Sequence, residues 1–220
     1  MSAPAESGQH TAGLDVTVVD HPLTRAWLGV LRDETTPNPA FRNALARLAT
    51  MLVYEAFADA PEEPVAVTTP VGTAPCTRLV SPPLFVPVLR AGLGMLDAAL
   101  SAVPDAGIGF IGVARDEQTA LPVEYLASLP QDLSGRSVCV LDPMLATGGS
   151  LLHALDLIMA RGATDVTAVC VVGAPEGVAA LRDWGKPLKL VIGAVDECLN
   201  EAKFIVPGLG DAGDRQFGPR

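Results

Sequence analysis

Basic residues are in short supply in this chain: 15 Lys and Arg stand against 25 Asp and Glu, a formal charge of −10 over 220 residues. That balance argues against broad binding to nucleic acid or to an anionic membrane surface, since either demands a basic face. An anionic ligand would have to be held by a few well-placed cations and by backbone N–H groups. Aromatic residues make up only 5%, so the core must come from Ala, Val, Leu and Ile, which suits a parallel sheet covered by helices. The four cysteines, Cys76, Cys139, Cys170 and Cys198, show no C-x-x-C spacing. Two of them fall inside apolar runs, and they read as free thiols in a reducing compartment. No apolar run reaches the ~18–20 residues of a membrane span. His10, His21 and His153 are isolated, so neither a nucleophile–base triad nor a histidine metal site is in view. The opening "MSAPAESGQHTAG" lacks a basic segment followed by an apolar one and does not read as a secretory signal. Residues 1–13 are expected to be a disordered tail, 14–220 a single domain, and the protein cytoplasmic.

Apolar sequence is abundant, 49% against 18% charged, enough for a sizeable core. "HPLTRAWLGVLRDE" and "AFRNALARLATMLVYEAFAD" carry apolar residues at three-and-four spacing, with Leu45, Leu48, Leu52 and Ala56 on one stripe, which predicts two N-terminal helices. "EEPVAVTTPVGTAPCTRLV" alternates and breaks at Gly and Pro, the pattern of an antiparallel hairpin or arm. After that, short apolar runs ("LFVPVL", "GIGFIGVA", "SVCVLD", "DVTAVCVVG", "KLVIGAV") are interleaved with the helical patterns "LGMLDAALSAV", "GSLLHALDLIMARG" and "EGVAALRDWG". Repeated strand–helix–strand units mean right-handed crossovers and a parallel sheet. The expected fold class is α/β, a central parallel sheet flanked by helices, with N-terminal helices and a β-hairpin arm. Ligands of such sheets bind at the carboxyl ends of the strands.

Four segments stand at such ends. In "VCVLDPMLATGGS", Asp142 closes a buried strand and Thr147, Gly148, Gly149 and Ser150 open a helix striped by Leu151, Leu155, Ile158 and Met159. Unpaired N–H groups and partial positive charge at a helix start suit a phosphate, and glycines let the backbone approach it. Asp142 cannot favour phosphate but accepts well from sugar hydroxyls. No Lys follows the glycines, which excludes a Walker loop. "VPVLRAGLG" sets Arg90 before Ala91-Gly92, a cation beside a close backbone approach that suits a second phosphate. "GVARDEQTALPVEY" starts at Arg115 a polar stretch with the character of a mobile loop. The C-terminal "FIVPGLGDAGDRQFGPR" has the glycines of G-x-G-x-x-G at 208, 210 and 213. It lacks the following crossover helix and strand of a dinucleotide fold and reads better as a Gly-rich loop closing the domain, with Asp211 in it.

Taken together, "HPL" (His21–Leu23), "YEA" (Tyr54–Ala56), "LRAGLGM" (Leu89–Met95), "DPMLATGGS" (Asp142–Ser150), "APEG" (Ala174–Gly177) and "PGLGDAGDR" (Pro207–Arg215) resemble the uracil phosphoribosyltransferase family from His21 onward. "DPMLATGGS" is similar to the phosphoribosyl-diphosphate loop of type I phosphoribosyltransferases, with Pro143 in place of the commoner second acid. The resemblance implies the reaction uracil + 5-phospho-α-D-ribose 1-diphosphate → UMP + diphosphate, a pyrimidine salvage step. It implies that the loop Asp142, Pro143, Met144, Leu145, Ala146, Thr147, Gly148, Gly149 and Ser150 holds the ribose 5-phosphate, with Asp142 on the ribose hydroxyls. Arg90 and Arg115 would hold the diphosphate, Arg115 from a loop that closes. Ile205, Gly210, Asp211 and Ala212 would hold uracil, with Asp211 also facing the donor. Asp142, Asp211 and Arg115 are the catalytic candidates. Mg²⁺ would enter largely through substrate oxygens, with Asp142 and Asp211 as the candidate protein carboxylates. A homo-oligomer is implied too, as is GTP activation, known in many bacterial members. Many relatives carry Tyr at the position of Phe204, which keeps the apolar face and lacks the hydroxyl.

Three readings compete with this one. A regulatory relative that binds RNA is opposed by the charge and by the lack of a Lys/Arg cluster. An enzyme for another base would require a different C-terminal loop. A non-catalytic paralogue would be expected to have lost one of Asp142, Asp211, Arg90 or Arg115, and all four are present.

Overall fold

Strong alternation is missing from most of the strands of this chain because both faces of the main sheet are covered. A computed structural model describes residues 13–115 and 122–219, and the backbone alone of Arg115 and Pro122. In chain order the elements are β1 (Leu14–Val18), α1 (Pro22–Arg32), α2 (Asn38–Ala56), β2 (Glu62–Thr69), β3 (Gly72–Leu79), β4 (Leu84–Leu89), α3 (Leu93–Ala102), β5 (Gly107–Ile108), β6 (Phe110–Arg115), β7 (Pro122–Ser128), β8 (Ser137–Leu141), β9 (Met144–Leu145), α4 (Gly149–Met159), β10 (Asp165–Gly173), α5 (Pro175–Trp184), β11 (Leu188–Val195), β12 (Cys198–Leu199), β13 (Ile205–Val206) and α6 (Ala212–Phe217).

The sheet runs β1-β11-β10-β8-β4-β6-β7. Every neighbouring pair along it is parallel except the last, where β7 returns antiparallel to β6. This is the expected α/β fold with a parallel centre. Successive residues of β8 point to opposite faces: Cys139 and Leu141 enter the core under α1, α2 and α3, whereas Val138 and Val140 enter the core under α4 and α5. β10 divides in the same way, with Val169 and Val171 on one side and Ala168 and Cys170 on the other. Burial on both faces is why these strands read as continuous apolar runs. Cys139 and Cys170 are free, buried thiols, and burial pushes the Cys139 thiol up to about 12, so neither is a ready nucleophile.

α2 buries the predicted stripe Leu45, Leu48, Leu52 and Ala56, together with Phe41. α1 starts at Pro22, with His21 Nδ1 accepting from the Leu23 N–H at 3.2 Å as its cap. β2 and β3 form the predicted hairpin, a separate two-stranded sheet whose residues are largely exposed. No helix among the described residues is long and apolar enough to cross a membrane.

Several short elements depart from the sequence expectation: β9, β12 and β13, two residues each, and α6 form in stretches expected as loop. Two longer strands, β1 and β7, depart from it as well. β1 has no counterpart in the sequence pattern, because five residues at the sheet edge, half-buried in places, are too short to display a period. Its Leu14–Val18 pairs with Leu188–Ile192 of β11. The stretch after Arg115, expected as a loop, is strand from Pro122 onward. Its backbone is paired across to β6, with a register shift between Gly112 and Val113 that breaks the alternation there. The expected tail lies outside the described residues, save Gly13.

Candidate active site

The carboxyl ends of β4 and β8 and the start of α4 border a cleft of about 580 Å³, closed on another side by the β13–α6 segment. β4 leads into Arg90 and a turn at Gly92, where an added Cβ would collide with the Leu141 carbonyl and with the Val88 backbone. The side chain is absent there so that two strand exits can approach each other. The Leu89–Arg90 peptide is cis, as is Val206–Pro207. Arg90 lines the cleft and its Nη2 donates to Asp214 Oδ1 at 2.9 Å. Its Nε is buried without a hydrogen-bond partner among the described residues.

Asp142 follows β8. Its backbone N–H continues the ladder to the Val169 carbonyl at 3.1 Å, while its side chain is buried on the cleft wall. Among the described residues only a long bond from the Met144 N–H, 3.4 Å, reaches its Oδ1. Burial outweighs that bond and raises the carboxyl to about 7, as expected for a charge lacking strong donors. The loop beyond is split in two. Met144, Ala146 and Ser150 line the cleft. Leu145 instead packs into the core, and the Pro143 carbonyl accepts from the Val171 and Val172 N–H groups, both at 3.1 Å. These two support the loop from behind. α4 then begins at Gly149 after Gly148 at φ 83°, with no side chain capping its first turn. A Cβ at Gly149 would meet nothing nearer than Thr147 Oγ1 at 3.7 Å. The uncapped N–H groups of this turn are the kind that bind a phosphate.

The opposite wall comes from the C-terminus. Lys203, Phe204, Ile205, Gly210, Asp211, Ala212 and Asp214 all line the cleft, so the predicted base-binding residues do share it with Arg90, Asp142 and Ser150. Asp211 caps α6, accepting from the Asp214 N–H at 2.8 Å. Arg115 ends β6, and its side chain and residues 116–121 lie outside the described residues, so its expected contact has no geometry here.

The supports of this wall leave little trace in the sequence. Arg32 forms a two-pronged pair with Asp196, Nη1 to Oδ2 at 2.7 Å and Nη2 to Oδ1 at 2.6 Å. Asp196 also accepts from the Gly208 N–H at 2.8 Å, and Arg32 donates to the Gly208 carbonyl at 2.8 Å. Arg215 donates to the carbonyls of Leu31, Asp33 and Leu209, with its guanidinium 4.6 Å over the Phe41 ring. Asp214, the partner of Arg90, is likewise absent from the sequence-predicted site. Arg215 and Asp214 sit inside the "PGLGDAGDR" motif, whereas Arg32 and Asp196 are 164 positions apart and no local pattern joins them.

The family model for uracil phosphoribosyltransferase matches residues 18–219. The chain belongs to the uracil phosphoribosyltransferase family. A uracil phosphoribosyltransferase of Corynebacterium diphtheriae is 58% identical over 207 residues, covering 94% of this chain and 98% of the relative. One from Corynebacterium efficiens is 56% identical over the same length and with the same coverage. Among solved structures, the AQ2163 protein of Aquifex aeolicus matches with a TM-score of 0.88 at 40% identity, covering 92% of this chain and 98% of that one.

Proposed function

We infer that the protein transfers the 5-phosphoribosyl group of phosphoribosyl diphosphate to N1 of uracil, releasing diphosphate and forming UMP. The observation that carries this reading is the cleft itself. A helix start with no side-chain cap, a buried carboxylate and an arginine line one side of it, and a Gly-rich backbone lines the other, in a chain of this family.

The residues divide the work by their chemistry. The first turn of α4, from Gly149 and Ser150, holds the 5-phosphate through backbone N–H groups, and Thr147 adds a hydroxyl. Asp142 accepts from the ribose hydroxyls. Arg90, with a buried Nε free to donate, takes the diphosphate together with Arg115. Ile205, Gly210 and Ala212 offer main-chain groups to uracil, whose N3–H donates and whose O2 and O4 accept. Cytosine reverses that pattern at N3 and position 4, and unpaired buried groups discriminate by ~10⁴ or more. Asp211 faces both halves. As the glycosidic bond to diphosphate breaks, positive charge grows on the ribosyl carbon. Positioning and charge stabilisation then matter more than a strong base.

Mg²⁺ fits as an ion carried by the donor. Among the described residues no group of three His, Cys, Asp or Glu could hold a metal alone. Substrate oxygens and water would therefore fill most of its shell, with Asp142 and Asp211 the carboxylates able to complete it. Once bound it would neutralise the leaving diphosphate. The reading includes a cytoplasmic salvage enzyme, GTP as an activator, and a homo-oligomer. The last is supported by the β2–β3 hairpin, too small to be stable alone and carrying exposed Val67 and Val71.

The test is UMP formation from uracil and phosphoribosyl diphosphate with Mg²⁺, with and without GTP, and with cytosine and orotate as control bases. Turnover confined to uracil is expected. Tight donor binding without turnover on any base would overturn the reading.

A further inference from the structure

Gln216 is a fully buried polar residue on α6, and it does not line the cleft. Its Nε2 donates to the Ala212 carbonyl at 2.7 Å and to the Ala91 carbonyl at 3.0 Å. Ala212 belongs to the base-side wall and Ala91 to the turn that follows Arg90, and both residues do line the cleft. One carboxamide therefore spends both of its hydrogens tying together the backbones of two walls contributed by distant parts of the chain. The reverse orientation would set Oε1 against two carbonyl oxygens, so the assignment follows from chemistry. The Arg42 Nη1 bond to the Gln216 carbonyl, 2.6 Å, holds the residue's own backbone.

This arrangement is costly as packing. Oε1 is buried with no hydrogen-bond partner among the described residues, and it occupies the space that a Cβ at Gly94 would fill. An unpaired interior acceptor is unfavourable, and an apolar side chain of similar size would fill the same volume without one. What an apolar side chain could not do is bridge Ala91 and Ala212.

Among the hydrogen bonds of the described residues, a second tether between these walls is the Arg90–Asp214 pair. Under the function proposed above, on which this inference rests, Arg90 turns to the diphosphate when the donor binds and Asp214 loses it. Gln216 then remains as a hydrogen-bonded link, among the described residues, between the donor side and the base side. We propose that Gln216 is a positioning residue that couples the two substrates, so that filling the donor half of the cleft sets the backbone that receives uracil.

Initial rates over a grid of both substrate concentrations measure this directly. They yield the two KM values, kcat, and the factor by which bound donor tightens uracil. For Gln216→Leu the expected result is a thermal midpoint and a saturated kcat close to those of the wild type. Both KM values should rise, and the coupling factor should fall toward one by about tenfold, an ordinary size for coupling between sites. Should Gln216→Leu fail to fold, Gln216→Met, unbranched and without a donor, is read in the same way. A variant with an unchanged coupling factor, or one that loses kcat and thermal stability while coupling is retained, overturns the inference and assigns Gln216 to packing alone. A wild-type protein that makes no UMP overturns the functional reading beneath it, which the same experiment separates because the wild type is assayed first.

Discussion

Asp142 shows how one residue can be set by its burial. Its carboxyl, raised to about 7 from 3.8 because water is excluded and a single weak donor reaches it among the described residues, binds a proton more tightly in the folded chain than in the unfolded one. Between those two values the folded state holds the extra proton, so this group's contribution to stability declines as pH rises through that window. Asp142→Asn removes the titration. Its stability relative to wild type should therefore improve from pH 5 to pH 8 by roughly 2–3 kcal/mol, since each of the two pH units between 5 and the folded value is worth about 1.36 kcal/mol. Denaturant melts at the two pH values check this, and a pH-independent difference would sink it. At pH 8, above the raised value, the asparagine should also bind the phosphoribosyl donor more weakly, since it offers ribose a neutral acceptor in place of a charged one. Residue chemistry of this kind is partly legible in the sequence. The acid at a strand end and the glycines after it announce a ligand loop, whereas the depth of burial that perturbs the acid does not show in a local string.

Among elements, the position of the C-terminal segment depends on contacts made far from it in sequence. β13 and α6 are two and six residues long, too short to hold themselves, and the Arg32–Asp196–Gly208 cluster and Arg215 fasten them to α1. Asp196→Ala would leave the partly buried Arg32 unpaired and the Gly208 N–H without its acceptor. The expected cost is about 3 kcal/mol, seen as a lower denaturation midpoint, together with a raised KM for uracil and a smaller change for the donor. Equal effects on both substrates would argue against a local role for the cluster. The helices α2, α3, α4 and α5 are readable from their apolar spacing because each covers one face of the sheet. β1 and β7 are not: one is a five-residue edge strand, and the other begins with a proline and pairs across a register shift, so neither presents a clean period of two.

On the scale of the whole molecule, the sheet delivers its functional loops to one end while the β2–β3 hairpin stays outside it. Val71 is 98% exposed at the turn of that hairpin, with Val67, Leu79 and Val80 also exposed. Apolar surface on a marginal two-stranded unit calls for a partner. Under the proposed homo-oligomer, light scattering coupled to size exclusion should give a mass above one chain for the wild type. Val67→Glu combined with Val71→Glu should shift it toward the monomer, and an unchanged mass would remove the hairpin from the interface. Composition and period alone determined the α/β class, the hairpin and the loops at strand ends, because burial on one or both faces writes itself into local spacing. Only the tertiary structure decided which loop residues face the cleft and which brace it, that Arg90 meets Asp214, and that Gln216 joins Ala91 to Ala212. Those outcomes depend on distances between segments remote in sequence, which chain closure and packing set and no local pattern encodes.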